Sequence, residues 1–353
     1  MRRAPFDRLA AAALAVAWLL SSCATALPSA PIGTTVDRHE LMRAYVDLVT
    51  MRDTKPTSRA LLSAALDGVN AMVRDRGGVP STIAFAPFTN LPDVVDEDFD
   101  RFYEILAGIA AHNPTLTSDE IVDAAIDAMT NVDSDCHTWY STQPNVYLMP
   151  EAKGDVAVER RLLPDQIGYV AWDVWLEQAP GRVRAALDHL LQSGAKAWIL
   201  DLRGNPGGLE GVEEQITGWF VAGEVYKLVG RNGVRTVRTD GRDLLPSKYQ
   251  LPIAIIVDEH SYSASEFFAI ALRSHYRAVV VGDHTRGCVG AGRVFQSRGT
   301  LSVTTDAGTG LRGEPYNNVG IAPDIPAGLD AIDVAADHLR DVILRRKPLI
   351  PTR

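Results

Sequence analysis

Three segments of this chain end an apolar run in a turn of small or reactive residues: ILDLRGNPGG, IIVDEHSYSASEFF and VVVGDHTRGCVGAG. Ser263, in the second of them, stands where a buried strand should hand over to a helix. That junction exposes a hydroxyl and puts developing negative charge near the positive end of a helix. A serine there is also a common helix cap, and an isolated Ser-x-Ser would be read that way, whether the capping group were Ser263 or Ser265. The two companion loops shift the reading toward chemistry, because the carboxyl ends of neighbouring strands in an α/β sheet open on one crevice. Gly207 and Gly208 of GNPGG would let backbone approach a substrate carbonyl and offer an N–H to an oxyanion. The chemistry this predicts is acyl transfer by a serine nucleophile.

A serine needs a base. The candidates are His137, His189, His260, His275 and His284. His189 lies inside an amphipathic helical pattern and His275 at a helix end, which suits structural roles. His137, in the polar turn DSDCHTWY, and His284 rank equally on local pattern. The His and Cys residues show no metal-ligand spacing, and no cofactor is expected.

The elements that must position these groups change character along the chain. From Asp37 to Met129 the pattern is helical: HELMRAYVDLVTM puts Leu41, Tyr45, Leu48 and Val49 on one face, and SRALLSAALDGVNAMV repeats the spacing. DEDFDRFYEILAGIAA opens on acidic residues suited to a helix start, and Thr117 to Glu120 offer a capped start to a fourth helix. From Ile167 strands and helices alternate, and strands apolar on both faces argue for a sheet covered by helices. The segment from LSVTTDAG to VGIAPDI reads as hairpin and loop before a last helix.

ILDLRGNPGG, SYSASEFFAIAL, AVVVGDHTRG and VGIAPDI, in that order, resemble the tail-specific or C-terminal-processing serine peptidases, a family that includes the tricorn core and the interphotoreceptor retinoid-binding proteins. The resemblance covers roughly residues 130–326. It implies an α/β fold with a ClpP/crotonase-like ββα core, here with an N-terminal helical subdomain. It also implies peptide-bond hydrolysis with Ser263 as nucleophile and oxyanion donors on the backbone of Ala264 and of Gly207 or Gly208. Where one branch of the family carries a lysine, this chain has Cys288, and no lysine stands between Lys248 and Lys347. DSDCHTWY resembles the D-x-H-T turn of the tricorn-like branch, which makes His137 the expected general base. That branch's orienting glutamate would fall on Asn317, with Glu314 three positions earlier as the other candidate. By the same resemblance, Cys136 and Cys288 lie on two loops of one crevice. A disulfide between them would pin the histidine turn beside the nucleophile loop; the alternative is two buried thiols. About 25 residues separate Tyr140 from Ile167, too few for the PDZ domain of other members, so an extended peptide laid along a sheet edge is the expected substrate.

A formal charge of −9 argues against a nucleic-acid partner. Arg2, Arg3 and Arg8 precede the apolar run of residues 9–20, and Ser21-Ser22-Cys23 follows, which is the layout of an export signal. LSSC resembles a bacterial lipobox, with Cys23 as the lipid-modified residue and the lipid as a membrane anchor; the alternative is a plain secretory signal. The expected organisation is a signal over 1–22, a tether over 23–36, a helical subdomain carrying the histidine turn over 37–150 and a peptidase core over 151–345. The expected protein is an exported serine endopeptidase. The competing readings are a catalytically weak or inactive peptidase-fold protein that binds peptides or apolar ligands, and a hydrolase of non-peptidic esters or amides.

Overall fold

The computed structural model describes residues 35–82, 88–133, 135–143, 155–275 and 277–346; Cys23, the expected signal and most of the expected tether lie outside them. Four helices come first: α1 Arg38–Met51, α2 Ser58–Asp75, α3 Asp96–His112 and α4 Ser118–Thr130. Their starts are set by side chains that accept otherwise orphaned N–H groups. Asp37 accepts from Glu40, Thr57 from Ala60, and Thr117 and Glu120 form a reciprocal capping box. Their apolar faces close a core through Leu41, Leu48, Leu61, Phe99, Phe102 and Ile126.

The rest alternates strands and helices: β1 Trp139–Ser141, β2 Val158–Leu163, β3 Ile167–Trp172, α5 Ala179–Gln192, β4 Ala197–Asp201 and α6 Glu210–Gly218. Then follow β5 Gly223–Gly230, β6 Gly233–Thr239, β7 Ile253–Val257, α7 Ala264–Ser274, β8 Ala278–Gly282, β9 Gly290–Gln296, β10 Thr300–Thr309, β11 Ile325–Pro326 and α8 Ala331–Arg346. One sheet has six strands in the order β11-β8-β7-β4-β3-β2. Its members from β11 to β3 run parallel, and β2 is antiparallel at the edge.

The alternation of side chains along these strands divides two cores. Ile167, Tyr169, Ala197, Ile199, Ala254 and Ile256 pack with Ala335 and Leu339 of α8 on one face. Val170, Trp172, Trp198, Leu200, Ile255 and Val257 pack with residues of α5, α6 and α7 on the other. The fold is therefore α/β, with a largely parallel sheet between helical layers.

A second sheet bridges this core to the helical layer. β10 pairs with β9 along one edge and with β1 and then β5 along the other, and β5 pairs with β6. Leu301 and Val303 of β10 are buried in the helical core, so the helices grip the strand that runs beside the DSDCHTWY turn. Leu301→Ala should lower the unfolding free energy by about 2–5 kcal/mol, the usual cost of a buried leucine truncation. Denaturant titration checks this, and a loss well under 1 kcal/mol would show that the seam contributes little.

Candidate active site

The loops after β4, β7 and β8 all leave from the carboxyl ends of parallel strands, and they meet. The turn after β7 carries Ser263 with φ 57° and ψ −120°, a conformation that non-glycine residues rarely adopt. Backbone of this kind costs on the order of 1–3 kcal/mol and persists only where its surroundings hold it. Glu266, one turn into α7, supplies part of that hold. Its carboxylate accepts the Ser263 N–H at 3.1 Å and the Gly287 N–H at 2.8 Å, together with the Thr285 hydroxyl. Burial pushes the Glu266 carboxyl up, and these bonds oppose the shift. One buried carboxylate thus ties the nucleophile turn to the loop after β8.

The loop after β4 approaches from the other side. A Cβ on Gly207, whose φ is 89°, would stand 2.6 Å from Cβ of Ser263 and 2.8 Å from the Tyr262 carbonyl oxygen, so only glycine lets the two turns come this close. Asn205 is buried and braces the loop: its amide donates to the Trp172 carbonyl, and its side-chain oxygen accepts the Gly207 N–H at 2.9 Å. That bond occupies one of the two glycine donors expected to face an oxyanion. Ser265 is buried with its hydroxyl donated to the Asn205 carbonyl and accepting from the Trp175 indole, so it faces away from the crevice.

His137 reaches Ser263 from the turn between α4 and β1. Its Nε2 lies 3.0 Å from Ser263 Oγ, across 126 residues of chain. The turn is fastened twice. Cys136 and Cys288 form a disulfide that joins it to the loop after β8. Asp135 accepts the His137 N–H at 2.8 Å, the Thr138 N–H and hydroxyl, and the Thr304 hydroxyl at 2.6 Å, which locks the turn to β10. Beneath it, the fully buried Arg52 guanidinium stands 3.5 Å from the Asp135 carboxylate and donates to the Thr130 and Asp133 carbonyls. Burial raises the Asp135 carboxyl, but the Thr138, Thr304 and His137 bonds and the Arg52 charge outweigh it and hold it below the usual carboxylate range.

Removal from water lowers the His137 pKa below its ordinary value, and the Asp135 charge partly offsets this. Burial thus favours the neutral imidazole, the form that can accept a proton. The other candidates lie elsewhere: His284 bonds the Thr285 carbonyl, His275 the Glu224 carbonyl, and His260 is exposed beside Glu259. Asn317 and Glu314, the expected orienting residues, make no hydrogen bond to His137 among the described residues. Glu314 is exposed and its carboxylate turns back to accept the Arg312 N–H, closing its own turn. The carboxylate whose charge acts on His137 is Asp135. Its signal was in DSDCHTWY all along, since an Asp two residues before a backbone N–H commonly accepts it. Arg52 carried no such mark.

Ser263 and His137 line a cavity of about 260 Å³ with Gly207, Gly208, Ala264 and Phe267. A hydroxyl and an acceptor imidazole at one crevice, beside glycine-rich backbone, are the groups that attack on a carbonyl requires. No group of His, Cys, Asp and Glu among the described residues could hold a metal ion.

Comparison with known proteins places the chain among peptidase-like sequences and folds. Residues 166–327 match the family model described as Peptidase family S41. The chain is 33% identical over 166 residues to the carboxyl-terminal-processing peptidase 2 of Arabidopsis thaliana chloroplasts, covering 46% of this chain and 32% of that protein. It is 27% identical over 191 residues to the carboxy-terminal processing protease CtpA of Bacillus subtilis, covering 50% of this chain and 40% of that one. The chain thus spans a third to two-fifths of these relatives' length. A solved lipoprotein from Streptococcus agalactiae superposes with a TM-score of 0.54 at 15% identity, covering 81% of this chain and 97% of that one, and shares its fold.

Asp135→Asn removes the charge that raises the His137 pKa, so that pKa should fall further below its ordinary value. It also leaves Arg52 without its buried partner, at a cost of about 3–5 kcal/mol. Titration of the His137 ring protons by NMR checks the first point; an unchanged or higher pKa would contradict it.

Proposed function

We propose, from the premise that residues 166–327 are a Peptidase family S41 domain, that this protein is a serine peptidase working through Ser263 and His137. The observation that carries the reading is the 3.0 Å approach of His137 Nε2 to Ser263 Oγ. As a peptide carbonyl enters, Nε2 takes the hydroxyl proton while Oγ bonds the carbonyl carbon. The carbonyl oxygen becomes an oxyanion between the Ala264 and Gly208 N–H groups. The imidazolium then gives its proton to the leaving amine, the C–N bond breaks and an acyl-Ser263 remains. Water, deprotonated by the same imidazole, attacks the ester and restores the hydroxyl. Asp135 stabilises the transient imidazolium by its charge rather than by a bond to the ring.

The protein acts outside the cytoplasm in this reading, exported by the basic and apolar start of the chain and anchored by lipid on Cys23. Among the described residues no helix is long and apolar enough to cross a membrane.

A fluorophosphonate should label Ser263, and labelling should vanish in Ser263→Ala. His137→Ala should slow labelling by about 10²–10⁴-fold, the usual worth of a general base. Folded protein that takes up no label would favour a binding role on a peptidase scaffold. In a bacterial host, Cys23→Ser should move the protein from the membrane fraction to the soluble fraction and abolish palmitate incorporation. Unchanged partitioning of that variant would contradict the anchor.

A further inference from the structure

The cavity beside Ser263 is lined by two acidic groups that the hydrolytic steps above do not use, the exposed Glu210, which pairs with Arg235, and the buried Glu213. Glu213, in the first turns of α6, lines it although only 1% exposed. The helix begins directly after GNPGG, so the loop that brings Gly208 to the nucleophile also carries Glu213 into the same cavity. Tyr226 Oη on β5 donates to the Glu213 carboxyl at 2.8 Å, and the Thr217 hydroxyl donates to its other oxygen. Two donors leave acceptor capacity on a carboxylate that has about four lone-pair sites. The walls above it are apolar: Leu209, Ala264, Phe267, Ala291 and Val294. Among the described residues no lysine or arginine lines the cavity. The neighbouring Arg235 of β6 pairs instead with Glu210 at 2.9 Å.

Apolar walls over an acidic floor suit one kind of side chain. Lysine and arginine lay their methylenes along apolar surface and carry a charged donor at the tip. A charge-assisted bond to a carboxylate in a desolvated site is among the stronger polar contacts available. A purely aliphatic side chain would cover the carboxyl and leave it without a new partner. We propose that Glu213 is the floor of the pocket for the residue on the acyl side of the scissile bond, and that it selects lysine or arginine there. The inference rests on the peptidase reading and adds a substrate class to it.

Burial pushes the Glu213 carboxyl up to about 8; the Thr217 and Tyr226 bonds oppose the shift, and the charges of Glu214 and Glu210 on the same helix add to it. The charged and titratable groups around it are therefore Tyr226 on β5, Glu210 and Glu214 on α6, Arg235 on β6 and His137 across the cavity. In the empty pocket at pH 7 the carboxyl is largely neutral, and a bound cation draws the proton off. Preference for a basic residue over a neutral one should therefore grow as pH rises from 6.5 toward about 8 and beyond.

The test uses matched peptidyl phosphonates with lysine, arginine, glutamine or leucine next to the phosphorus, the second-order rate of inactivation and mass mapping of the adduct. The lysine and arginine probes should label Ser263 at least about tenfold faster than the other two at pH 8. Glu213→Gln should erase that ratio and its pH dependence, with Ser263 still the labelled residue. Should the amide fail to fold, Glu213→Asp keeps the charge and should keep a reduced preference for the cations. A wild-type protein labelled fastest by leucine or glutamine, or a ratio unchanged in Glu213→Gln, overturns the pocket assignment and leaves the nucleophile standing. Failure of every probe overturns the hydrolase reading and the selectivity with it.

Discussion

The chemistry proposed for this protein depends on holding an imidazole 3.0 Å from a hydroxyl when 126 residues separate them in the chain. Neither group sits on a rigid element. His137 stands in a turn and Ser263 at a strand-to-helix junction, so the contact exists only because both turns are tied to shared neighbours. The loop after β8 is the chief of these. It takes the histidine turn through the Cys136–Cys288 disulfide and the nucleophile turn through Glu266, which accepts the N–H groups of Ser263, Gly287 and Cys288. A bridge across a sequence separation of 152 residues removes much freedom from the unfolded chain, up to about 5 kcal/mol in the chain-entropy account. Its local consequence is of a different kind, because it fixes which loop the imidazole must face.

The same economy explains the Asp135 cluster. A carboxylate bonded directly to the imidazole would orient the ring; Asp135 instead holds the backbone N–H of His137 and is itself held by Thr138, Thr304 and Arg52. Orientation is thus built into the turn, and the negative charge remains near enough to favour an imidazolium. The helical layer has a part in this. Arg52 follows α1 immediately, and β10, which supplies Thr304, is packed into the helical core through Leu301 and Val303. A layer that looks like an appendage in the sequence therefore sets the position of the base.

Much of the scaffold was legible before any coordinates. Apolar strands over Ala197–Asp201 and Ile253–Val257, each followed by a glycine or serine turn, fixed a covered sheet with its crevice at the carboxyl ends. The capped helix start at Thr117 is a local fact and could be read locally. The contacts that refine the site are not local. Asn205 captures the Gly207 N–H, one of the two glycine donors expected to face an oxyanion, a detail of a folded turn. Arg52 meets Asp135 across 83 residues, and nothing in its flanking sequence marks it as buried. The position expected to orient the imidazole, Asn317, was reached by analogy of spacing, but the turn from Gly310 to Glu314 closes on itself. Glu213 is buried because the fold turns its face of α6 inward, a tertiary outcome that its flanking residues do not mark.

The most direct test is the structure of a complex with a peptidyl boronate. The account predicts a tetrahedral boron bonded to Ser263 Oγ, one boronate oxygen within hydrogen-bonding distance of both the Ala264 and Gly208 N–H groups, and His137 Nε2 beside the serine oxygen. An adduct at another side chain, or a boronate oxygen turned away from those two N–H groups with His137 displaced, would contradict it.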